Sequence, residues 1–224
     1  MRNMKTEELT SQPSFAPFAD GGARQRSRIP NALSALRILL APVFMALFWS
    51  HTTLALYAAF LCIVLALVTD WWDGYYARRY SAGSDLGKVL DPLADAVFFV
   101  TVFGTLGALG CYPAWLAIPF FLREATQHLY VRPAALHYGL AMGAKMIGKV
   151  KTGLQGGVSL WVVAVEITRS YSDALIPYLR TDQFFNVLDW ISVIAVGITA
   201  AVSLASIIPY VRQLSAIQRA SGSQ

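Results

Sequence analysis

Asp70 and Asp73, then Asp91 and Asp95, form two pairs at helical spacing within the stretch TDWWDGYYARRYSAGSDLGKVLDPLAD, residues 69–95. Residues three or four apart on a helix share a face. Gly74 and Ala77 continue the face of the first pair, and Gly87 lies one turn before Asp91. If the two helices are antiparallel neighbours, the four carboxylates converge, and the small residues leave room for a ligand against the backbone. Converging carboxylates repel one another unless cations are present. Hard divalent ions with oxygen ligands (Mg2+, Mn2+ or Ca2+) are the chemical remedy. Two such ions would balance the four charges and clamp a phosphoryl group. Arg78, Arg79 and Lys88 suit phosphate oxygens. The plainer reading is a set of interfacial acids paired with those basic residues. Repetition at face-sharing spacing, with small residues between, argues for a site, as does the general cost of acid near a membrane.

These acids sit in an apolar chain. Of 224 residues, 56% are hydrophobic and only 14% charged, where a soluble domain carries about 25% charged residues. Long apolar runs point to the bilayer. The net charge of +5 then suits an anionic lipid surface rather than nucleic acid. Cys62 and Cys111 lie in or beside apolar runs without metal spacing and read as reduced, buried thiols. No cleavable signal peptide is read, because the first apolar run begins only near Ala32 and no small-residue cleavage site follows it.

The elements that must position the acids follow from the apolar runs. Residues 1–28 read as a polar tail ending in Arg24, Arg26 and Arg28. A first span is expected near 32–50, capped by Asn31 and carrying Arg37 as its one charge. A second helix runs through 52–79 and a polar turn follows. A third covers 89–110, with Pro92 near its start. A fourth, 112–131, holds Arg123 and Glu124 past its midpoint. The segment 132–147 is expected as a surface helix. The fifth helix starts with Lys149 and Lys151, a loop spans 170–186, and the sixth covers 187–211.

Basic residues concentrate in the N-terminal tail, the turn after helix two, residues 132–151 and the C-terminal tail, and are absent near 50 and 111. By the positive-inside rule both termini are cytoplasmic, which requires an even number of spans; six fits. The expected architecture is an all-α integral membrane protein of six transmembrane helices, with a catalytic domain at 29–212 and a cytoplasmic tail at 213–224. The charged ends of helices two to five then meet at one depth on the cytoplasmic face.

The pattern Asp70-x-x-Asp73-Gly74-x-x-Ala77-Arg78, eight residues, Gly87-x-x-x-Asp91-x-x-x-Asp95 resembles the signature of the CDP-alcohol phosphotransferases, with every signature position filled. The flanks IPNALSALRILLAPVF, Arg123–Glu124 and GKVKTGLQ are similar to the branch that makes phosphatidylglycerophosphate in bacteria. The likeness runs from about 29 to 212 and departs between Glu124 and Gly148, where that branch has a further LRE-like element. The resemblance implies transfer of a phosphatidyl group from CDP-diacylglycerol to glycerol 3-phosphate, with release of CMP, at the cytoplasmic face of the inner membrane. It implies Asp70, Asp73, Asp91 and Asp95 as ligands of two divalent cations, Mg2+ or Mn2+, and Asp95 as general base. It implies Asp70, Asp73, Gly74, Ala77, Arg78 and Gly87 as the CDP-binding set, with Gly87 giving close helix packing. It also implies a homodimer among bilayer lipid. Arg123, Arg132, Lys149 and Lys151 are the candidates for the acceptor phosphate, against ordinary snorkelling; Arg37 is a further candidate from helix one.

Other acceptors, serine or inositol phosphate, share the chemistry. A divalent-cation transporter is a reading from another class, but it requires polar residues through the whole thickness, and the outer halves of these helices are nearly bare of charge. A non-catalytic membrane scaffold would not need a complete acid set. GAKMIGK (143–149) approaches a phosphate-binding loop but has Val150 where Ser or Thr belongs and no preceding strand. Gly139 and Gly143 are a weak packing pair. His51, His128 and His137 show no metal spacing, and His128 is a candidate for the acceptor pocket. Trp71, Trp72, Trp115, Trp161 and Trp190 read as aromatic belts. Glu166, Asp173 and Asp182 read as solvated on the far side.

Overall fold

The computed structural model describes residues 28–80, 85–137, 146–175 and 182–221. Every regular element among them is helical: α1 (Arg28–Trp49), α2 (Thr53–Tyr80), α3 (Asp85–Ala108), α4 (Ile118–Ala125), α5 (Arg132–His137), α6 (Met146–Leu175), α7 (Asp182–Ala205) and α8 (Ile208–Ser221). A 3-10 turn, Ala114–Ala117, leads into α4, and a π turn, Thr126–Val131, joins α4 to α5. The flanking residues Ala125 and Arg132 are both right-handed helical, so this is one continuous helical path with a local widening.

Four segments are long and apolar enough to cross a bilayer: Asn31–Trp49, Thr53–Trp72, Leu90–Ala108 and Gln183–Gln213. The protein is an all-α membrane protein. Large apolar side chains such as Leu39, Leu54, Trp49, Leu129 and Ile194 face outward, as a hydrocarbon surround requires. The expected helices four and five are not among the four segments. One carries Arg123 and Glu124; the other carries Lys149, Lys151, Gln155, Glu166 and Arg169.

α1 packs chiefly on α3 and α2, α2 on α6, and α6 on α7. Phe44, Phe48, Phe98, Phe103 and Phe120 lie in one buried cluster, where the Phe103 and Phe120 rings stack with centroids 4.0 Å apart. α6 approaches α2 closely at Gly156, where a Cβ would stand 2.6 Å from a Leu67 methyl. At the other end of the same helix pair, the Thr53 and Ser170 hydroxyls share a 2.6 Å hydrogen bond. Gly110, at φ 82°, turns the chain after α3, a conformation glycine adopts at little cost. Tyr112 then donates back to the Phe103 carbonyl at 2.5 Å.

Several boundaries differ from those expected. α1 begins at Arg28, so Asn31 lies inside the helix rather than capping it. Gly87 and Lys88, expected in a turn, belong to α3, whose start at Asp85 puts Pro92 inside the helix. Leu86, Leu90 and Leu93 keep helical spacing across the proline. Proline has no N–H for the carbonyl four residues back, so the ladder loosens between Asp91 and Asp95. The polar stretch expected as a loop from 170 is largely helix: α6 continues to Leu175 and α7 starts at Asp182. Tyr171 packs edge-on against Tyr57, and Asp182 complements the positive end of its helix. Of the expected surface helix at 132–147, Arg132–His137 is helical; residues 138–145 lie outside the described set, as do 1–27. Residues 213–221 continue α8. Cys62 and Cys111 are free thiols, and burial pushes the Cys111 thiol up to about 12, which makes it inert.

Candidate active site

The start of α1 and the start of α3 meet the end of α2. Asp70 lies in the last apolar stretch of α2; Asp91 and Asp95 lie on one face of α3, a turn apart. α1 reaches both helices from a single face. Ser34 donates to Asp91 Oδ1. Three residues on, Arg37 donates through Nη1 to Asp70 Oδ1 at 3.2 Å and to Asp95 Oδ1. Arg37 is only 1% exposed. A guanidinium buried this deeply in an apolar protein requires paired anions, and two carboxylates from different helices supply them. The expected convergence of the two acid pairs is therefore present for Asp70, Asp91 and Asp95. The side chains of Asp73, Ala77, Arg78, Arg79 and Gly87 lie outside the described set, although their backbone belongs to α2 and α3. Gly74 is half-buried on the α2 face it shares with Asp70.

Among the described residues, no group of three or more acids, cysteines or histidines is gathered closely enough to hold an ion; Arg37 joins Asp70 to Asp95. The donors themselves, carboxylate oxygens from two adjacent helices, are of the type that hard divalent cations take. By donor chemistry the residues present fit such ions.

A second ionic cluster lies on helices distant in sequence. Glu124, at the end of α4, is 6% exposed. Its two oxygens serve different cations: Oε1 accepts from Lys151 Nζ on α6 at 2.5 Å, and Oε2 accepts from Arg123 Nη1 at 2.5 Å. His128 Nε2 lies 3.8 Å from Oε2, and the ring is hydrogen-bonded to the Pro92 carbonyl between the two acids of α3. Arg123 also donates through Nε to Ser206 Oγ at 3.4 Å. Ser206 is fully buried in the break between α7 and α8 and donates to the Ser203 carbonyl. Arg132 stands within electrostatic range of Arg123 and Glu124, and Lys151 within range of Asp95. The two clusters thus adjoin. One turn beyond Lys151, Gln155 is 1% exposed, and neither atom of its amide has a hydrogen-bond partner among the described residues.

Of the expected acceptor-phosphate residues, Arg123, Arg132 and Lys151 are brought together; the Lys149 side chain lies outside the described set. Sequence reasoning named Arg37 and His128 as candidates but missed Ser34, Ser206 and the bridging part of Glu124. Ser34 was legible in principle as the polar residue three before Arg37 in an apolar run. Ser206 had no signal, since its partner is 83 residues away. Trp71, Trp72, Trp115 and Trp190 are exposed, as belt residues should be, whereas Trp161 donates to Ser192 at 3.1 Å. Glu166 is half-buried 3.8 Å from Arg169, rather than freely solvated.

Residues 27–201 match the family described as CDP-alcohol phosphatidyltransferase. The chain belongs to this family. It is 32% identical to a protein of Bacillus subtilis (strain 168) over 57% of this chain and 72% of that protein. It is likewise 32% identical to one of Escherichia coli (strain K12) over 60% of this chain and 76% of that protein. Both relatives are named CDP-diacylglycerol–glycerol-3-phosphate 3-phosphatidyltransferase. The family match spans α1 to α3, which carry the acids, and α4 and α6, which carry Glu124 and Lys151.

Proposed function

We propose that the protein transfers a phosphatidyl group from CDP-diacylglycerol to glycerol 3-phosphate, giving phosphatidylglycerophosphate and CMP. The observation that carries this reading is the adjacency of an acid cluster and a cationic cluster, with Lys151 in range of Asp95. One suits the metal-bound pyrophosphate of a donor, the other the phosphate of an acceptor. Family membership and the names of the relatives support the same reaction.

In this reading Asp70, Asp73, Asp91 and Asp95 would hold two divalent cations, Mg2+ or Mn2+. When bound, these ions supply charge stabilisation on the pyrophosphate oxygens. Gly74, Ala77, Arg78 and Gly87 border the cytidine nucleotide. Arg123, Arg132, Lys149 and Lys151 receive the acceptor phosphate and align its carbon chain. The oxygen of the acceptor hydroxyl bonds to the phosphorus that bears the diacylglycerol, and the bond from that phosphorus to the CMP oxygen breaks. Asp95 takes the hydroxyl proton; its Oδ1 is occupied by Arg37, which leaves Oδ2 for that proton. A positioned base lowers the barrier for a weakly nucleophilic alcohol.

The same reading puts the site at the cytoplasmic face of the inner membrane, where the nucleotide is in water and the acyl chains are in lipid. Helices four and five, the second running through α6, then also cross, giving six spans with both termini cytoplasmic and a homodimer as the assembly. The test pairs CDP-diacylglycerol with labelled glycerol 3-phosphate, serine and inositol phosphate in membranes supplied with Mg2+ or Mn2+. CMP release is expected with glycerol 3-phosphate. Turnover with serine or inositol phosphate instead would reassign the acceptor, and no turnover with any alcohol would sink the enzymatic reading.

A further inference from the structure

We infer that Glu124 is a positioning residue that sets Arg123 and Lys151 side by side for the acceptor phosphate. The inference rests on the acceptor reading above. A buried carboxylate amid cations has two possible uses: it cross-links helices, or it arranges the cations for a third partner. The hydrogen-bond inventory favours the second. Each Glu124 oxygen takes a different cation, Lys151 on Oε1 and Arg123 on Oε2, so neither cation is bound bidentately. Lys151 uses one of the three N–H bonds of its ammonium on Glu124. Arg123 commits Nη1 to Glu124 and Nε to Ser206. Its Nη2 group, which carries two donors, has no partner among the described residues. An arginine held on one edge presents the other edge in a fixed plane, the geometry that suits phosphate oxygens.

Charge points the same way. Glu124 stands among Arg123, Lys151 and Arg132. One carboxylate among three cations leaves two positive charges, which match a phosphate monoester carrying about −1.5 to −2 at neutral pH. Without the carboxylate, Arg123 and Lys151 repel and separate. His128, 3.8 Å from Oε2 and bonded to the Pro92 carbonyl, ties this arrangement to the part of α3 that carries Asp91 and Asp95. Glu124 thus fixes the distance between the acceptor's phosphate and its reacting hydroxyl without touching either.

The test is a KM-against-kcat split in Glu124→Gln, Glu124→Asp and Ser206→Ala, using purified protein in CDP-diacylglycerol micelles. Glu124→Gln is expected to raise the KM for glycerol 3-phosphate about tenfold or more while the KM for CDP-diacylglycerol stays within about twofold. Glu124→Asp, which keeps the charge, should recover part of that loss. Ser206→Ala frees Arg123 from its anchor only and should raise the acceptor KM about twofold to threefold. If Glu124→Gln does not accumulate, Glu124→Asp and Ser206→Ala carry the same expectation. An acceptor KM that is unchanged or lowered in these variants overturns the inference. So does an equal change in both KM values accompanied by lost thermal stability, which would mark Glu124 as a helix cross-link. If the unsubstituted protein turns over another acceptor and not glycerol 3-phosphate, the acceptor reading fails instead, and the two failures are distinct.

Discussion

The two ionic regions of this protein are inversions of each other. Around α1, α2 and α3 a single cation, Arg37, sits among acids. Around α4, α6 and α8 a single acid, Glu124, sits among cations. In both, the minority charge is almost fully buried, and it holds together groups that would otherwise repel. The majority charges face what the region receives: acids for metal and pyrophosphate, cations for an anionic acceptor. The comparison teaches that a buried ion pair near a membrane surface can serve arrangement as much as stability. Such pairs are poor sources of net stabilisation, yet losing one partner is severe.

Removing the majority charge on the donor side should have the largest effect. Asp91→Asn or Asp95→Asn is expected to lower CMP release by about a thousandfold or more, since transition-state charge stabilisation of this kind is worth several kcal/mol. Activity within tenfold of the unsubstituted protein would remove both residues from the chemistry. Next comes the minority cation. Arg37→Gln leaves Asp70 and Asp95 uncompensated and should destabilise the protein by about 3–5 kcal/mol, read as a drop in detergent melting temperature. Millimolar Mn2+ should reverse much of that drop by supplying the missing charge, whereas Mn2+ should do nothing for Glu124→Gln. Equal metal responses in both variants would break the inversion.

A smaller effect is expected from salt. Exposed cations are screened over about 8–10 Å at physiological ionic strength, so the KM for glycerol 3-phosphate should rise a few-fold between low and moderate salt while that for CDP-diacylglycerol moves less. Smallest is Gln155→Leu, which removes an amide without a partner among the described residues. Thermal stability should hold or rise, and the acceptor KM should rise about threefold, the size of one neutral hydrogen bond. Falling stability would show that the amide serves the protein itself.

The same contrast explains what could be read from the sequence. The donor region is local: two helix ends and the turn between them place its acids within one short stretch, so spacing alone announced a shared face. The acceptor region joins Arg123, Lys151 and Ser206, whose separations leave no periodic trace. Its cations were nameable by charge, but Glu124 looked like their neighbour rather than their organiser. Helix limits failed where polarity stood in for loop. Tyr171 and Asp182 lie in helices because those helices extend past the apolar layer, and Pro92 is internal because the apolar spacing of α3 runs on both sides of it.

The π turn at Thr126–Val131 lies between Glu124 and Arg132, and the Arg132 backbone N–H reaches five residues back to the Gln127 carbonyl. Such turns are one residue longer than the α-helical path they interrupt and often mark functional positions. A one-residue deletion here would leave an ordinary helix and swing Arg132, with all that follows it, through about 100°. Acceptor choice in this scaffold is therefore open to change by a single-codon insertion or deletion, a far shorter evolutionary step than rebuilding the pocket one substitution at a time.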